Sequence, residues 1–361
     1  MNVLSPPQVE NLLESMAAGP LEIAAARRRL HRKSVVIVVL WAASYYGLVF
    51  APLPFVGRVV CALLLVVACV AVATGIMHDG NHGAFSASKR VNRVAGYSSD
   101  LLGASSFLWR FKHNHLHHGN TNVVGFDTDI DQEPFARLAP QQSWHVWNRY
   151  QHVYMWVLYG FLTLQWFLLS DLTTIVTGRQ AGHTLPKRLQ KRDIAMILFG
   201  KALHATWAIV VPSLFFPFWQ VVLFYVSCSW LVGFVLANFF QVAHCVDAAE
   251  MTTPETPRRG ADFALHQLRT TVDVHLGRSP FGRFIGWWMG GLEHQVEHHL
   301  APRLPHTLYG AMEPRLDAAC AARGVVRKQH ESFAAALGSH QRWLRRMGRP
   351  GPSAEAMRSV G

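Results

Sequence analysis

The sequence has few charged residues: Asp, Glu, Lys and Arg make up 16% of its 361 residues, whereas hydrophobic residues make up 50%. Soluble globular domains carry about 25% charged residues, so the composition argues against a soluble protein. Cysteine is also scarce, because only five occur and no two form a Cys-x-x-Cys pair. The pattern suggests neither a disulfide framework nor a zinc knuckle, and it lacks the cysteine spacing of an iron–sulfur cluster. A glycine-rich nucleotide-binding loop is absent as well.

Two long apolar stretches dominate the chain, at residues 34–77 and 194–240. Prolines interrupt each stretch near its middle, and they are Pro52, Pro54, Pro212 and Pro217. Each half then has about the 20 residues that a membrane-spanning helix requires. We therefore predict an all-α integral membrane protein with two transmembrane hairpins, or four spans, and a cytoplasmic helical cap.

The formal charge of +12 is concentrated in front of these stretches. Basic residues cluster at 27–33 and at 187–192, whereas the two hairpin tips together contain a single charged residue, Arg58. Since basic loops stay on the cytoplasmic side, both tips should face outward, with the termini and the cap in the cytoplasm. We expect the membrane to be a bacterial inner membrane. Topology explains the basic excess, so no nucleic-acid partner is predicted.

The hairpins leave three cytoplasmic regions, at residues 1–33, 78–193 and 241–340, and a basic tail at 341–361 that we expect to be flexible. One further apolar segment, at 153–171, is nearly long enough to cross the bilayer. A crossing there would place the early and late histidines on opposite faces of the membrane. We predict that this segment lies in the interface as a helix, or packs on the hairpins without crossing.

Twenty histidines occur, and most fall just after the apolar stretches, in HDGNH, HNHLHH and QVEHH and at His244. On an α-helix, residues four apart share one face, so His78 and His82 can approach one metal ion, as can His113 and His117. Eight clustered imidazoles exceed the needs of a four-coordinate zinc or of one haem. Ligation by imidazole without thiolate suits iron, with zinc or copper as lesser possibilities. Two metal ions would account for a set of eight ligands.

These motifs resemble those of the membrane fatty acid desaturases of the acyl-lipid and sphingolipid group. HDGNH, KHNHLHHGNTN and GGLEHQVEHHLAPRLPH are similar to the three histidine boxes of that family, and the likeness covers roughly residues 70–310. Gln295, in place of the first histidine of the third box, is similar to the front-end desaturases. The resemblance implies a non-haem di-iron centre that uses dioxygen and two external electrons to introduce a C=C bond into an acyl chain.

The resemblance also assigns roles to individual residues. The implied iron ligands are His78, His82, His113, His117, His118, His244, His298 and His299, with Gln295 as a weaker candidate. Metal-bound imidazoles need an acceptor on the other ring nitrogen, and the candidates are Asp79, Glu293, Glu297, Asp127, Asp129 and Asp131. His115 is expected not to ligate. The presence of His294 beside Gln295 leaves two alternatives open, in which one or the other of them contributes a ligand.

Electrons must come from a partner, because no His-Pro-Gly-Gly haem-binding signature of a fused cytochrome b-type domain occurs. We expect a ferredoxin with its reductase. The acyl group could be carried by a lipid, by coenzyme A or by acyl carrier protein. Two alternatives stay open at this point: a hydroxylase or acetylenase on the same scaffold, and a non-catalytic membrane protein that binds metal or haem.

Overall fold

The computed structural model describes residue 14 and residues 16–254 and 261–351, and this part of the chain is mostly helical. The helices are α1 (Pro20–Val49), α2 (Phe55–His82), α3 (Lys89–Gly96), α4 (Ser98–Leu101), α5 (106–117), α6 (Val146–Tyr159), α7 (Leu162–Thr177), α8 (Lys191–Ser213), α9 (Phe218–His244), α10 (Ala261–Thr270), α11 (Pro280–Met289), α12 (Gln295–Leu300), α13 (Tyr309–Ala321) and α14 (Phe333–Met347). The strands are β1 (Arg179–Gln180), β2 (His183–Thr184), β3 (Asp273–Val274) and β4 (Gln329–His330), where β1 pairs with β2 antiparallel and β3 with β4 parallel.

Four helices, α1, α2, α8 and α9, are long and apolar enough to cross a membrane, which confirms the prediction of an all-α membrane protein. Pro54 and Pro217 stand immediately before α2 and α9, where the missing N–H of proline costs no helical hydrogen bond. α1 begins at Pro20, well before the apolar stretch. α2 is the most buried of the four, so the other elements pack around it.

The segment around residues 153–171 forms two helices, α6 and α7, which meet at a bend of 69°. Gly160 lies at the bend, where an added Cβ would overlap the Trp230 indole ring. The early histidines and His298 belong to one cluster, so the chain between them crosses the membrane an even number of times. With α8 and α9 as two crossings, this count agrees with the prediction that α6 and α7 do not cross as a single span.

The remaining helices form the cap, and its C-terminal part corrects one expectation. The tail from residue 341 was predicted to be flexible, but residues 341–347 are the end of α14. Trp343 and Leu344 are buried there, and the Trp343 indole N–H donates to the Leu138 carbonyl oxygen over 2.9 Å. The apolar residues of this helix share one face, which explains the docking. Residues 352–361 lie outside the described part of the chain.

Candidate metal centre

Eight histidines from four parts of the chain meet in one buried cluster beside the ends of α2 and α9. Within it, sets of ligand atoms lie within 4.8 Å of one another. One set joins His78, His82, His113 and His298; a second joins His117, His244 and His299; a third joins His118, His298 and His299. The first two sets share no residue, and His118 stands between them. The arrangement therefore offers two neighbouring positions for metal ions.

The second box departs from the α-helical geometry on which its prediction rested. Residues Phe111–His117 form a π-helical turn, and the His118 N–H donates to the His113 carbonyl oxygen over 2.9 Å, five residues back. The wider turn brings the Nε2 atoms of His113 and His118 to 3.2 Å. His113 consequently faces the first set, and His117 faces the second, although both also lie near Asp129. π-helical turns of this kind are frequent at functional sites.

The third box supplies one histidine to each position. Successive residues on an α-helix point about 100° apart, so His298 and His299 on α12 diverge. The His298 ring centroid lies 4.5 Å from that of His78, and the His299 ring centroid lies 5.0 Å from that of His117. Two adjacent histidines on a short helix therefore connect the two sets.

Most of the cluster is buried, and burial favours the neutral form of four of its imidazoles. His298 and His299 are each 1% exposed. Burial lowers the pKa of His113, His118, His298 and His299, and repulsion among the rings lowers it further. Neutral imidazole is the form that binds metal.

Several ring nitrogens in the cluster lack a hydrogen-bond partner among the described residues. They are Nδ1 and Nε2 of His78, Nε2 of His82, Nδ1 of His118, Nδ1 of His244 and Nε2 of both His298 and His299. Unpaired buried polar atoms are costly unless something binds them. These orphaned nitrogens, converging on two positions, fit a pair of metal ions.

Of the carboxylates predicted to orient the ligands, Asp127 and Asp129 lie at the cluster. The Asp127 carboxylate accepts from His117 Nδ1 over 3.0 Å, and also from the Asn122 N–H over 2.8 Å. Asp129 lies 3.6 Å from His117 Nδ1 and pairs with Lys112 at 2.9 Å. Burial alone would lower the pKa of His117, but these two carboxylates raise it overall. Asp131 is exposed.

The other three predicted carboxylates have their nearest contacts away from the ligand nitrogens. Asp79 Oδ2 accepts from His306 Nδ1 over 3.0 Å, whereas its Oδ1 is 3.9 Å from His78 Nδ1. Glu297 Oε1 lies 3.0 Å from Arg327 Nη1, on the side of α12 away from the histidines. Glu293 lies next to Gly286. These carboxylates anchor the third box to the rest of the protein.

Sequence reasoning missed the neutral groups that hold the third box. The Gln267 Oε1 atom accepts from His299 Nδ1 over 2.9 Å, and Thr121 Oγ1 lies 3.1 Å from the same nitrogen. The Tyr309 hydroxyl donates to the Leu304 carbonyl oxygen, so it accepts from His298 Nδ1, 3.3 Å away. Thr121 follows the second box directly, but the positions of Gln267 and Tyr309 carried no recognisable signal.

Three further residues had been considered as ligands or excluded as ligands. Gln295 is buried, and its Oε1 atom lacks a hydrogen-bond partner among the described residues. His115 is exposed and stacks on Phe111, away from the cluster. His294 Nδ1 lies 3.7 Å from Glu313 Oε2. Gln295 therefore remains available as a ligand, whereas His294 faces a carboxylate.

An apolar cavity of 460 Å³ lies between the two hairpins. Its walls include Leu65 and Cys69 of α2 and Val232 of α9, and Arg58 stands near the hairpin tips. Cys69 is about two and a half helical turns before His78. Apolar space within the membrane thus approaches the histidine cluster from the side of the spans.

Comparison with known proteins identifies a family and several relatives that this chain resembles. A model of the fatty acid desaturase family matches residues 53–330. The sn-1 linoleoyl-lipid 6-desaturase of Synechocystis sp. is 35% identical over 317 residues, which are 87% of this chain and 87% of that protein. The sn-1 linoleoyl-lipid 6-desaturase of Arthrospira platensis is 31% identical over 88% of this chain and 85% of its own length. The acyl-lipid (8-3)-desaturase of Physcomitrium patens is 34% identical over 88% of this chain, which spans 66% of that protein.

Proposed function

This chain belongs to the fatty acid desaturase family, and from that premise we propose that it desaturates acyl chains of membrane lipids at a pair of iron ions held by eight clustered histidines. It is an integral membrane oxidoreductase. The observation that carries the proposal is the convergence of orphaned imidazole nitrogens on two adjacent positions. The relatives are named as acyl-lipid desaturases, which favours a lipid over coenzyme A or carrier protein as the acyl carrier.

Eight histidines are the ligands in this proposal: His78, His82, His113 and His298 at one position, His117, His244 and His299 at the other, and His118 between them. When bound, the iron pair supplies dioxygen activation and the removal of two hydrogens from an unactivated acyl chain. The protein supplies a dry enclosure, which keeps water from competing with the substrate.

Hydrogen bonds fix which nitrogen each ligand presents. Asp127 holds a proton on Nδ1 of His117, so Nε2 is the free nitrogen of that ring. The Gln267 carbonyl oxygen does the same for His299, and the Tyr309 hydroxyl does the same for His298. The Nε2 atoms of His298 and His299 are indeed among the buried nitrogens without a partner.

The two electrons that each turnover consumes come, in this proposal, from a ferredoxin and its reductase. The orientation that fits this donor places the histidine cluster on the cytoplasmic face of a bacterial inner membrane. The basic residues at 27–33 and 187–192 would then flank the surface on which an acidic donor docks.

The test is expression of the full chain with a matched ferredoxin and reductase, followed by profiling of lipid acyl chains by mass spectrometry. The wild type should yield products lighter by two hydrogens, and His298→Ala should abolish them. His115→Ala is the matched control, because it removes an exposed histidine of the second box and should leave product formation intact. Metal analysis of the purified protein should give two iron ions per chain. A single ion, or products heavier by one oxygen, would refute the proposal.

A further inference from the structure

A second cavity, of 490 Å³, opens beside the histidine cluster on the side of the cap. His82 and His118, whose ring centroids are 4.8 Å apart, form part of its wall. The rest of the wall comes from the end of α2, from α3, from α5 with its second box and from the loop after α12. A molecule in this cavity therefore sits next to the proposed metal positions.

The cavity is lined by four cations and by no carboxylate: Lys89, Arg93, Arg110 and Arg303. None of the four lies within 4.0 Å of an acidic side chain in the described part of the chain. Arg110 Nη1 donates to Asn81 Oδ1 over 3.2 Å and to Ser106 Oγ over 2.9 Å, and both acceptors are neutral. Burial lowers the pKa of Arg110, and the nearby charge of Arg93 adds to that effect, whereas Tyr97 and Asp100 oppose it. Four cations that line a cavity without a carboxylate in contact are complementary to an anion.

The cavity adjoins helix α3, whose composition fits a membrane surface. Helix α3 carries Lys89, Arg90 and Arg93, and beside them it exposes Val91 by 43% and Val94 by 70%. A short helix with exposed valines among basic side chains is typical of the interface between headgroups and acyl chains. It also follows closely on α2, which ends at His82. An anion reaching the cavity from this side would be attached to a lipid.

We propose that this cavity binds the phosphate of a glycerophospholipid whose acyl chain enters the metal centre. The inference rests on the proposed function, because it makes the bound lipid the substrate. Arg93, Arg110 and Arg303 can donate paired N–H groups to phosphate oxygens, and Lys89 adds a point charge. With the phosphate fixed beside His82 and His118, the part of the acyl chain near its ester end is the part that reaches the metals.

The first test measures binding and does not depend on turnover. Metal-free protein in a neutral detergent is titrated with phosphatidylglycerol or with digalactosyldiacylglycerol of the same acyl composition, and bound lipid is counted by native mass spectrometry. The wild type should prefer phosphatidylglycerol. Arg93→Gln and Arg303→Gln should each weaken that binding about fivefold, as expected for one basic residue facing anionic lipid. The galactolipid should bind all forms equally.

Arg90→Gln is the matched control, since Arg90 lies on the same helix and is exposed, but does not line the cavity. Its binding should equal that of the wild type. Equal binding of the two lipids by the wild type, or an equal loss in Arg90→Gln and Arg93→Gln, would overturn the inference. Tighter binding of an acyl-coenzyme A than of phosphatidylglycerol would assign the phosphate to a soluble carrier, and would overturn it too.

The second test measures desaturation of the same two lipids in proteoliposomes with ferredoxin and reductase. Arg93→Gln should lower kcat/KM on phosphatidylglycerol about fivefold and leave the galactolipid unchanged. An equal loss on both lipids would indicate that the cations serve the electron donor, and would refute the inference while leaving the proposed function intact. If the wild type desaturates neither lipid, the proposed function fails, and the binding measurement still decides whether the cavity holds phosphate.

Discussion

Arg327 should be the main support of the third histidine box, and its loss should destabilise the protein strongly. Its side chain is 6% exposed and contacts Asp273 at 2.7 Å and Glu297 at 3.0 Å. Both carboxylates are fully buried, and both are tied to the box: Glu297 lies on α12, and Asp273 Oδ1 accepts from the Val296 N–H over 2.9 Å. Arg327→Met leaves these two buried carboxyl groups without their cation, together with Glu313 and Asp317, which Arg327 also contacts and which are more exposed.

The magnitude follows from the burial. Removing one partner of a buried ion pair costs about 3–5 kcal/mol, because the remaining charge is neither solvated nor paired. Unfolding entropy near 60 °C is about 2.1 cal/mol/K per residue, so a chain of this length that unfolds as one unit should lose about 4–7 °C of Tm. An exposed ion pair is worth at most about 1 kcal/mol. Arg342 and Asp247 form such a pair, with side chains 67% and 33% exposed, so Arg342→Met is the control.

The assay is thermal unfolding of purified protein in detergent, followed by intrinsic fluorescence, together with iron content. Arg327→Met should lower Tm by several degrees and reduce bound iron, whereas Arg342→Met should shift Tm by about 1 °C or less. Adding Asp273→Asn and Glu297→Gln to Arg327→Met should restore part of the loss, because the unpaired charges are then gone. If Arg327→Met and Arg342→Met have equal effects, the reasoning from buried charge is wrong.

Three further predictions concern single residues. Asp127→Asn should weaken iron binding about 10- to 100-fold in a chelator competition, because the partner of His117 Nδ1 can no longer fix the tautomer. Gly290→Ala should lower Tm for two reasons: the residue has φ +67°, and an added Cβ would lie 2.6 Å from a backbone oxygen. Gly277→Ala is the control, because Gly277 has φ +69° but an added Cβ would meet no atom within 4 Å. It therefore measures the cost of the backbone angle alone. Burial lowers the pKa of His340 from 6.5 to about 4. As pH falls, this imidazole is therefore protonated in the unfolded chain before it is protonated in the folded one. The free energy of unfolding should consequently fall by about 3 kcal/mol between pH 6.5 and pH 4. Denaturant midpoints measured across that range should show this loss, and His340→Gln should reduce it.

The sequence predicted the spans well because hydrophobic length is a local property. Prolines near the middle of each apolar stretch marked the hairpin tips, and α2 and α9 begin directly after Pro54 and Pro217. Segment 153–171 was ambiguous, because its length and composition fit both a span and an interfacial helix. The clustering of the early and late histidines favours the interpretation that this segment does not cross, which stays a prediction.

The grouping of the histidines could not be predicted in the same way. An α-helical spacing rule assigns His113 and His117 to one face, and the two do share one set of ligand atoms with Asp129. Because the segment is a π-helical turn, His113 also joins His78, His82 and His298, whereas His117 joins His244 and His299. No local pattern in the second box distinguishes these two geometries.

By itself, the sequence determined the four spans, the histidine boxes and the family that they resemble, because each depends on residues close together along the chain. Tertiary structure alone decided which side chains act together. Asp79 binds His306, which is 227 residues away, and Arg327 binds the carboxylates behind the third box. Such contacts depend on how the helices pack. Packing brings together residues that are far apart along the chain, so no local sequence pattern predicts that they touch.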